Sequence, residues 1–371
     1  MLTETLRGSV LAAQRRLLHA QLLACVLLAA LLAGCSTTYL WQAASGEYRV
    51  MRAREPLGRV IDDPRTSAQL RTRLELVRAA RRFAIEELKL PDNRSYTTYA
   101  DIKRPYVVWN VVAAPEFSLT PKEWCFPVAG CVAYRGYFKE RDAQQFALEM
   151  RAQGYDAAID PVPAYSTLGK FSDPVLSSML RYGDDALVAT IFHELAHQLL
   201  YVQDDSAFNE AFATTVEDAG LERWLVHQGS PQRMQQFRTD TGRETAFVRL
   251  LGRTRARLAK LYASGVAPAE MRARKRELFA ELAGQIRAWE GQRGDESPPQ
   301  GWSGPDLNNA RVASVATYYD CVPGFTRLLA AEGGDLERFY AAARALGKMP
   351  RSERHARLCA VSALKAAAAA R

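Results

Sequence analysis

The segment Phe192-His193-Glu194-Leu195-Ala196-His197 carries the most chemistry per residue in this chain. On a helix, His193 and His197 lie one turn apart on one face, so both imidazoles can reach a single tetrahedral zinc ion. Glu194 sits beside them, where a carboxylate can take a proton from an attacking water. Ile191, Phe192, Leu195, Ala196, Leu199 and Leu200 make the surrounding stretch apolar nearly all round, so this helix is expected to be buried. Buried His, Glu and His side chains without a cation would be costly to leave uncompensated. The expected cofactor is therefore Zn2+, one per chain, and Asp184 and Asp185 are expected to cap the helix.

A catalytic zinc needs a third protein ligand and leaves a fourth position open. After the loop Gln203 to Ser206, a second helix is expected from Phe208, antiparallel to the first and carrying Asn209-Glu210-Ala211-Phe212-Ala213. Glu210 is the expected third ligand. Asn-Glu-x-x-Ala downstream of His-Glu-x-x-His resembles the gluzincin metallopeptidases, in which the Glu binds zinc and the small residue one turn later lets the two helices pack. The separation from His197, 12 residues, is shorter than in most gluzincins, and Glu217 stands at 19. Glu210 and Glu217 are about 10.5 Å apart along a helix and cannot both ligate one ion. Glu217 is thus either the alternative third ligand or a carboxylate that orients a ligand or binds an amine.

Expected donors to a developing oxyanion are Tyr318, Tyr319 and His227, the last read as lying past the end of the second helix. Glu217, Glu123 and Asp173 are the carboxylates offered for a substrate's α-ammonium group. Zinc would activate both water and carbonyl, with Glu194 moving the proton to the leaving amine.

These residues need elements to hold them. The chain has 371 residues, 48% hydrophobic and 24% charged, an ordinary globular composition that excludes disordered and fibrous classes. Arg7, Arg15 and Arg16 precede an uncharged run from Ala20 to Ala33, too short to span a bilayer comfortably, which reads as a signal peptide over residues 1–34. Its end, Leu32-Ala33-Gly34-Cys35, resembles the bacterial lipobox, which implies diacylglycerol on Cys35. Ser36 resembles the sorting position of lipoproteins sent to the outer membrane, which implies a periplasm-facing protein held by its N-terminal lipid. In that oxidising compartment Cys125, Cys131, Cys321 and Cys359 are expected to pair. The Pro and Gly between Cys125 and Cys131 favour that bridge, leaving Cys321 for Cys359; a four-cysteine zinc site is the alternative.

Residues 35–95 read as anchor-proximal helices, one broken at Gly46 and one opening at Asp63-Pro64 and running through Leu88 to Pro91. Residues 96–172 read as a small α+β region, with strands at Tyr106–Val112, Trp124–Val128, Val132–Phe138 and Ala157–Tyr165 and a helix over Gln144–Gln153. Residues 173–371 read as the helical peptidase region, with interruptions such as Gly229 to Pro231 and Gly265 to Pro268. The expected fold is α+β, predominantly helical and zincin-like, with a small N-terminal sheet. Net charge is +8, and residues 231–290 concentrate it with 13 Lys or Arg against six Asp or Glu. Such a local excess suits solvated helix faces or an anionic lipid or cell-wall polymer, and makes no case for nucleic acid.

Beyond the zinc motif, Trp124-Cys125-Phe126-Pro127-Val128-Ala129-Gly130-Cys131, Tyr134-Arg135-Gly136-Tyr137-Phe138, Ala164-Tyr165-Ser166-Thr167-Leu168-Gly169, Ser172-Asp173-Pro174 and Asn308-Asn309-Ala310 resemble a family of bacterial lipoproteins predicted to be zinc aminopeptidases, over most of residues 35–345. The resemblance implies a zinc peptidase acting on N-terminal peptide bonds in the cell envelope. An edge strand near Ala129 to Ala133 would then line the cleft, as gluzincins use one to pair with the peptide backbone. The alternatives are an endopeptidase acting on envelope proteins or peptidoglycan stem peptides, and a non-catalytic zinc-binding envelope lipoprotein.

Overall fold

A computed structural model describes residues 34–126, 130–291, 302 and 307–359. Residues 1–33 of the expected signal peptide lie outside the described residues, as do Pro127, Val128 and Ala129 of the hairpin. The contacts divide the chain into two units, residues 1–49 and 50–371. Helix α1 (Gly34–Arg52) runs unbroken through Gly46, against the expected break, and in the first unit exposes Leu40, Trp41 and Tyr48. Among the described residues, no helix is long and apolar enough to cross a membrane.

The second unit is α+β and mostly helical. β1 (Arg54–Pro56) and α2 (Leu57–Asp62) lead to α3 (Ala68–Glu86). α3 opens at Ser67, whose hydroxyl accepts from the Leu70 amide, rather than at Asp63-Pro64, and it ends before Leu88. β2 is Thr98–Ala100, β3 Val108–Pro115, β4 Trp124–Phe126, β5 Gly130–Val132 and β6 Arg135–Tyr137; α4 (Glu140–Ala152) precedes β7 (Tyr155–Val162), and β8 is Val175–Leu176. The single strand expected over Val132–Phe138 is thus two short ones separated at Ala133 and Tyr134.

β3 is the centre of an antiparallel sheet in the order β6-β3-β7, and β1-β2-β8 form a second small sheet with β2 and β8 parallel. β4 and β5 form a hairpin closed by the disulfide Cys125–Cys131, and a second disulfide joins Cys321 to Cys359.

The helical part comprises α5 (Asp184–Leu199), α6 (Ser206–His227), α7 (Pro231–Tyr262), α8 (Pro268–Gly291), α9 (Asn309–Tyr319), α10 (Val322–Ala331), α11 (Leu336–Gly347) and α12 (Arg351–Leu358). α5 and α6 pack antiparallel at the middle of the main core, with Leu187, Ile191, Phe192, Leu195, Phe208, Phe212 and Leu225 almost completely buried. Their approach is close: a Cβ on Gly220 would meet Leu88 at 2.7 Å and Phe192 at 2.9 Å, so only glycine fits there without displacing them. α7 and α8 enclose a smaller core around Leu258, Leu282 and Ile286. Asn308 caps α9, and the Asn309 amide group donates to the carbonyls of Pro115 and Glu116 while Asp156 accepts from its backbone. Asn308-Asn309-Ala310 therefore fixes α9 to the β3/β7 sheet.

Candidate metal centre

α5 begins at Gly183, with no side-chain cap. Asp184 and Asp185 instead occupy its first turn, where negative charge suits the helix dipole, and pair with Arg73 and Arg233. One turn from its other end the helix places His193 and His197 on the face that meets α6. α6 opens at Asp205, whose carboxylate accepts from the Phe208 amide at 3.1 Å. Asn209 holds the incoming loop by a two-way bond, accepting from the Val202 amide at 2.8 Å and donating to the Val202 carbonyl at 2.7 Å. The Asn of Asn-Glu-x-x-Ala thus sets the loop that aims its neighbour Glu210.

Three atoms converge between the helices. His193 Nε2 and His197 Nε2 are 3.1 Å apart, and Glu210 Oε2 lies 3.4 Å from the first and 3.6 Å from the second. Ligands about 2.0–2.1 Å from a tetrahedral zinc stand about 3.3 Å from one another, so these three match one face of such a tetrahedron. Glu217 lies elsewhere: its carboxylate meets His193 Nδ1 at 2.8 Å. In the neutral imidazole that contact holds the proton on Nδ1 and turns the Nε2 lone pair toward His197 and Glu210, the form in which His193 would bind a cation. His197 Nδ1 is buried and has no hydrogen-bond partner among the described residues, so only one of the two histidines is oriented from behind. The Asp218 carboxyl is pushed up to about 7 by burial and then by the charges of Glu217 and Glu244.

The two carboxylates of the centre diverge. Burial alone would raise Glu210, but His197 and His193 outweigh it and hold its carboxyl down at about 2. Burial pushes Glu194 up to about 6 against the pull of the same histidines, with Glu210 and Asp173 adding to the rise. One carboxylate is thus suited to stay an anion beside a cation, and the other to exchange a proton near neutral pH.

The tyrosines also divide. Tyr318, on the helix packed against α6, is raised well above the usual phenol range, first by the charge of Glu210, then by burial, with Glu194 contributing. Tyr319 donates instead to Glu244 on α7. His227 does not lie past α6 as expected but closes its last turn, against Phe83 and Trp224.

The three carboxylates read as amine anchors all have other partners. Glu217 holds His193; Glu123 faces Arg351 at 3.2 Å; Asp173 is buried and accepts from Thr167 and, at 3.0 Å, from Gln198. Tyr96 escaped sequence reasoning altogether. It is 1% exposed, has φ of 59°, and its buried hydroxyl has no partner among the described residues; Glu194 is the foremost charge acting on it. The sole local signal was an aromatic residue in a turn.

The hairpin expected to line the cleft is tied to this centre. The Cys131 amide donates to Asp204 Oδ1 at 2.6 Å, in the loop joining α5 to α6, and a Cβ on Gly130 would meet the same oxygen at 2.6 Å. Gly130 also has φ of +72°, so it satisfies two demands that a larger residue would violate.

A mostly helical α+β fold that draws two histidines and a glutamate to one buried point defines a site able to hold a metal ion. The chain belongs to the family described as "Putative aminopeptidase", whose pattern matches residues 38–358. No curated protein and no solved structure matches it.

Proposed function

We propose that the chain is a zinc-dependent aminopeptidase of the bacterial cell envelope, held by lipid on Cys35 at the outer membrane and facing the periplasm. The observation that carries the zinc assignment is the convergence of His193 Nε2, His197 Nε2 and Glu210 Oε2 within 3.6 Å, with Glu217 setting the tautomer behind. Family membership supports the peptidase reading. The lipobox-like Leu32-Ala33-Gly34-Cys35, followed by a helix that exposes Leu40 and Trp41, supports the membrane reading.

Zinc in this position supplies Lewis acidity toward water and toward a carbonyl. His193 and His197 hold it as neutral imidazoles and Glu210 as an anion. Glu194 removes the proton of the attacking water and delivers it to the leaving amine, a role its elevated proton affinity suits. Tyr318, on which the charges of Glu210 and Glu194 act, keeps its proton and donates a hydrogen bond to the carbonyl oxygen as charge develops there.

The test combines metal analysis with hydrolysis of free and N-acetylated peptides by wild type, Glu194→Gln, Glu210→Gln and Glu217→Gln. One zinc with cleavage of free N-termini alone is expected. An endopeptidase acting on envelope proteins or stem peptides is the second reading, favoured by the engagement of Glu217, Glu123 and Asp173 elsewhere; cleavage of blocked peptides would establish it. Zinc without any hydrolysis would point to a binding role.

A further inference from the structure

Tyr318 stands on α9, which packs against the Glu210 helix α6, and it lines a hollow of about 530 Å³. Tyr106, Tyr134, Tyr182 and Trp302 surround this hollow, and Val315 on α9 projects into its wall. Its charged groups neutralise one another: Asp160 accepts from Arg311 and, at 2.7 Å, from Ser314, while the Arg311 guanidinium stacks on Trp302 at 5.7 Å. Among the described residues of that wall no uncompensated charge is left to receive a charged side chain, and burying one there would be costly. Aromatic rings with a few fixed polar atoms, in a space this large, are the surroundings that bind another ring.

At Ala133 and Thr317 the hollow meets a second one of about 500 Å³ with a different lining. That neighbour is edged by the ion pairs Glu123–Arg351 and Arg255–Asp320. The two hollows together are therefore aromatic toward Tyr182 and ionic toward Arg351.

We propose that the aromatic hollow is the specificity pocket, receiving a large aromatic side chain from the substrate residue beside the scissile bond. This rests on the peptidase reading and names its substrate class. Tyr182, a lining ring that is 42% exposed, is open to an incoming ring from solvent.

The full chain is assayed on peptides that differ only at the residue beside the scissile bond. The value of kcat/KM is expected to rise on the order of a hundredfold from Ala to Phe and to fall back for Lys and Glu. Val315→Phe fills the hollow and collapses the Phe-to-Ala ratio toward one; Tyr182→Ala, at an exposed position that spares the fold, lowers the ratio several-fold. A flat profile in a wild type that cleaves peptides overturns the pocket and leaves the peptidase standing, as does an unchanged ratio in Val315→Phe. Calorimetric binding of the same peptides to zinc-loaded Glu194→Gln separates the two ideas. Tighter binding of Phe than of Ala peptides, with no hydrolysis by wild type, upholds the pocket and defeats the peptidase, whereas equal binding defeats the pocket.

Discussion

α5–α6 and α7–α8 are both antiparallel helix pairs, yet they solve opposite problems. α5 and α6 are apolar on nearly every side, so neighbours enclose them, and any polar group between them must find its compensation inside the protein. Apart from His197 Nδ1, they meet that demand with contacts such as Glu217 behind His193, Asn209 on Val202, and Asp205 against Arg354 at 2.6 Å and His355 at 2.8 Å. α7 and α8 bury one stripe and carry part of their charge at the surface, where Arg257 and Glu281 pair at 52% and 44% side-chain exposure. Charge inside the first pair is specified residue by residue, whereas exposed surface charge such as that of Arg257 on the second is interchangeable.

Substitutions should grade this contrast. Glu194→Gln is expected to retain zinc and lose on the order of 10²–10⁴-fold in kcat, read by metal analysis beside steady-state kinetics. Full activity in that variant would remove the proton-transfer role. Asp205→Asn breaks a buried pair and should cost about 3–5 kcal/mol by denaturant titration.

Burial would raise the Asp205 carboxyl, but bonds from His355 and Arg354 hold it below the ordinary 3.8. Its contribution is therefore complete above the unfolded-state value and lost as pH falls through the lower, folded one. Wild type should lose stability on acidification below about pH 4, and Asp205→Asn should lose less over the same interval. Equal acid sensitivity of the two proteins would refute the assignment.

Glu217→Gln should weaken zinc affinity by about 10–100-fold without abolishing binding, whereas Glu210→Gln should remove a ligand and weaken it far more. The reverse order, measured by chelator competition, would exchange their roles. Arg257→Ala on α7 should change stability by about 1 kcal/mol or less, with the small change vanishing in high salt.

What was legible in the sequence was contiguous. His193, Glu194 and His197 lie within one and a half turns of a helix whose apolar flanks announce burial, and the Cys125–Cys131 hairpin is bounded by its own Pro and Gly. Glu210 was legible because a short loop leaves a second helix little choice of direction. The α+β, mostly helical class followed from where the hydrophobic period changes. Elements joined by distant contacts were not legible. β2 pairs with β8 although about 75 residues separate them, and Tyr318 and Tyr319 are adjacent letters that packing sends to different partners. Helix starts were misplaced at Asp63 and Asp184 because capping depends on backbone geometry as well as residue type. Glu123 and Asp173 looked available because nothing local announces Arg351 or Gln198.

The loop between the metal-capable helices has consequences for biosynthesis. Asp204 takes its bond from Cys131 upstream, and Asp205 takes its countercharge from Arg354, 149 residues downstream. A nascent chain emerges N-terminus first, so α5 and α6 exist as polypeptide long before the residue that neutralises the α6 cap. Until α12 arrives, a buried carboxylate at the head of the Glu210 helix lacks its partner, and the second disulfide awaits Cys359. Completion of the centre is thereby tied to nearly complete synthesis, so fragments that stop before Arg354 should contain both histidines and Glu210 yet hold metal poorly.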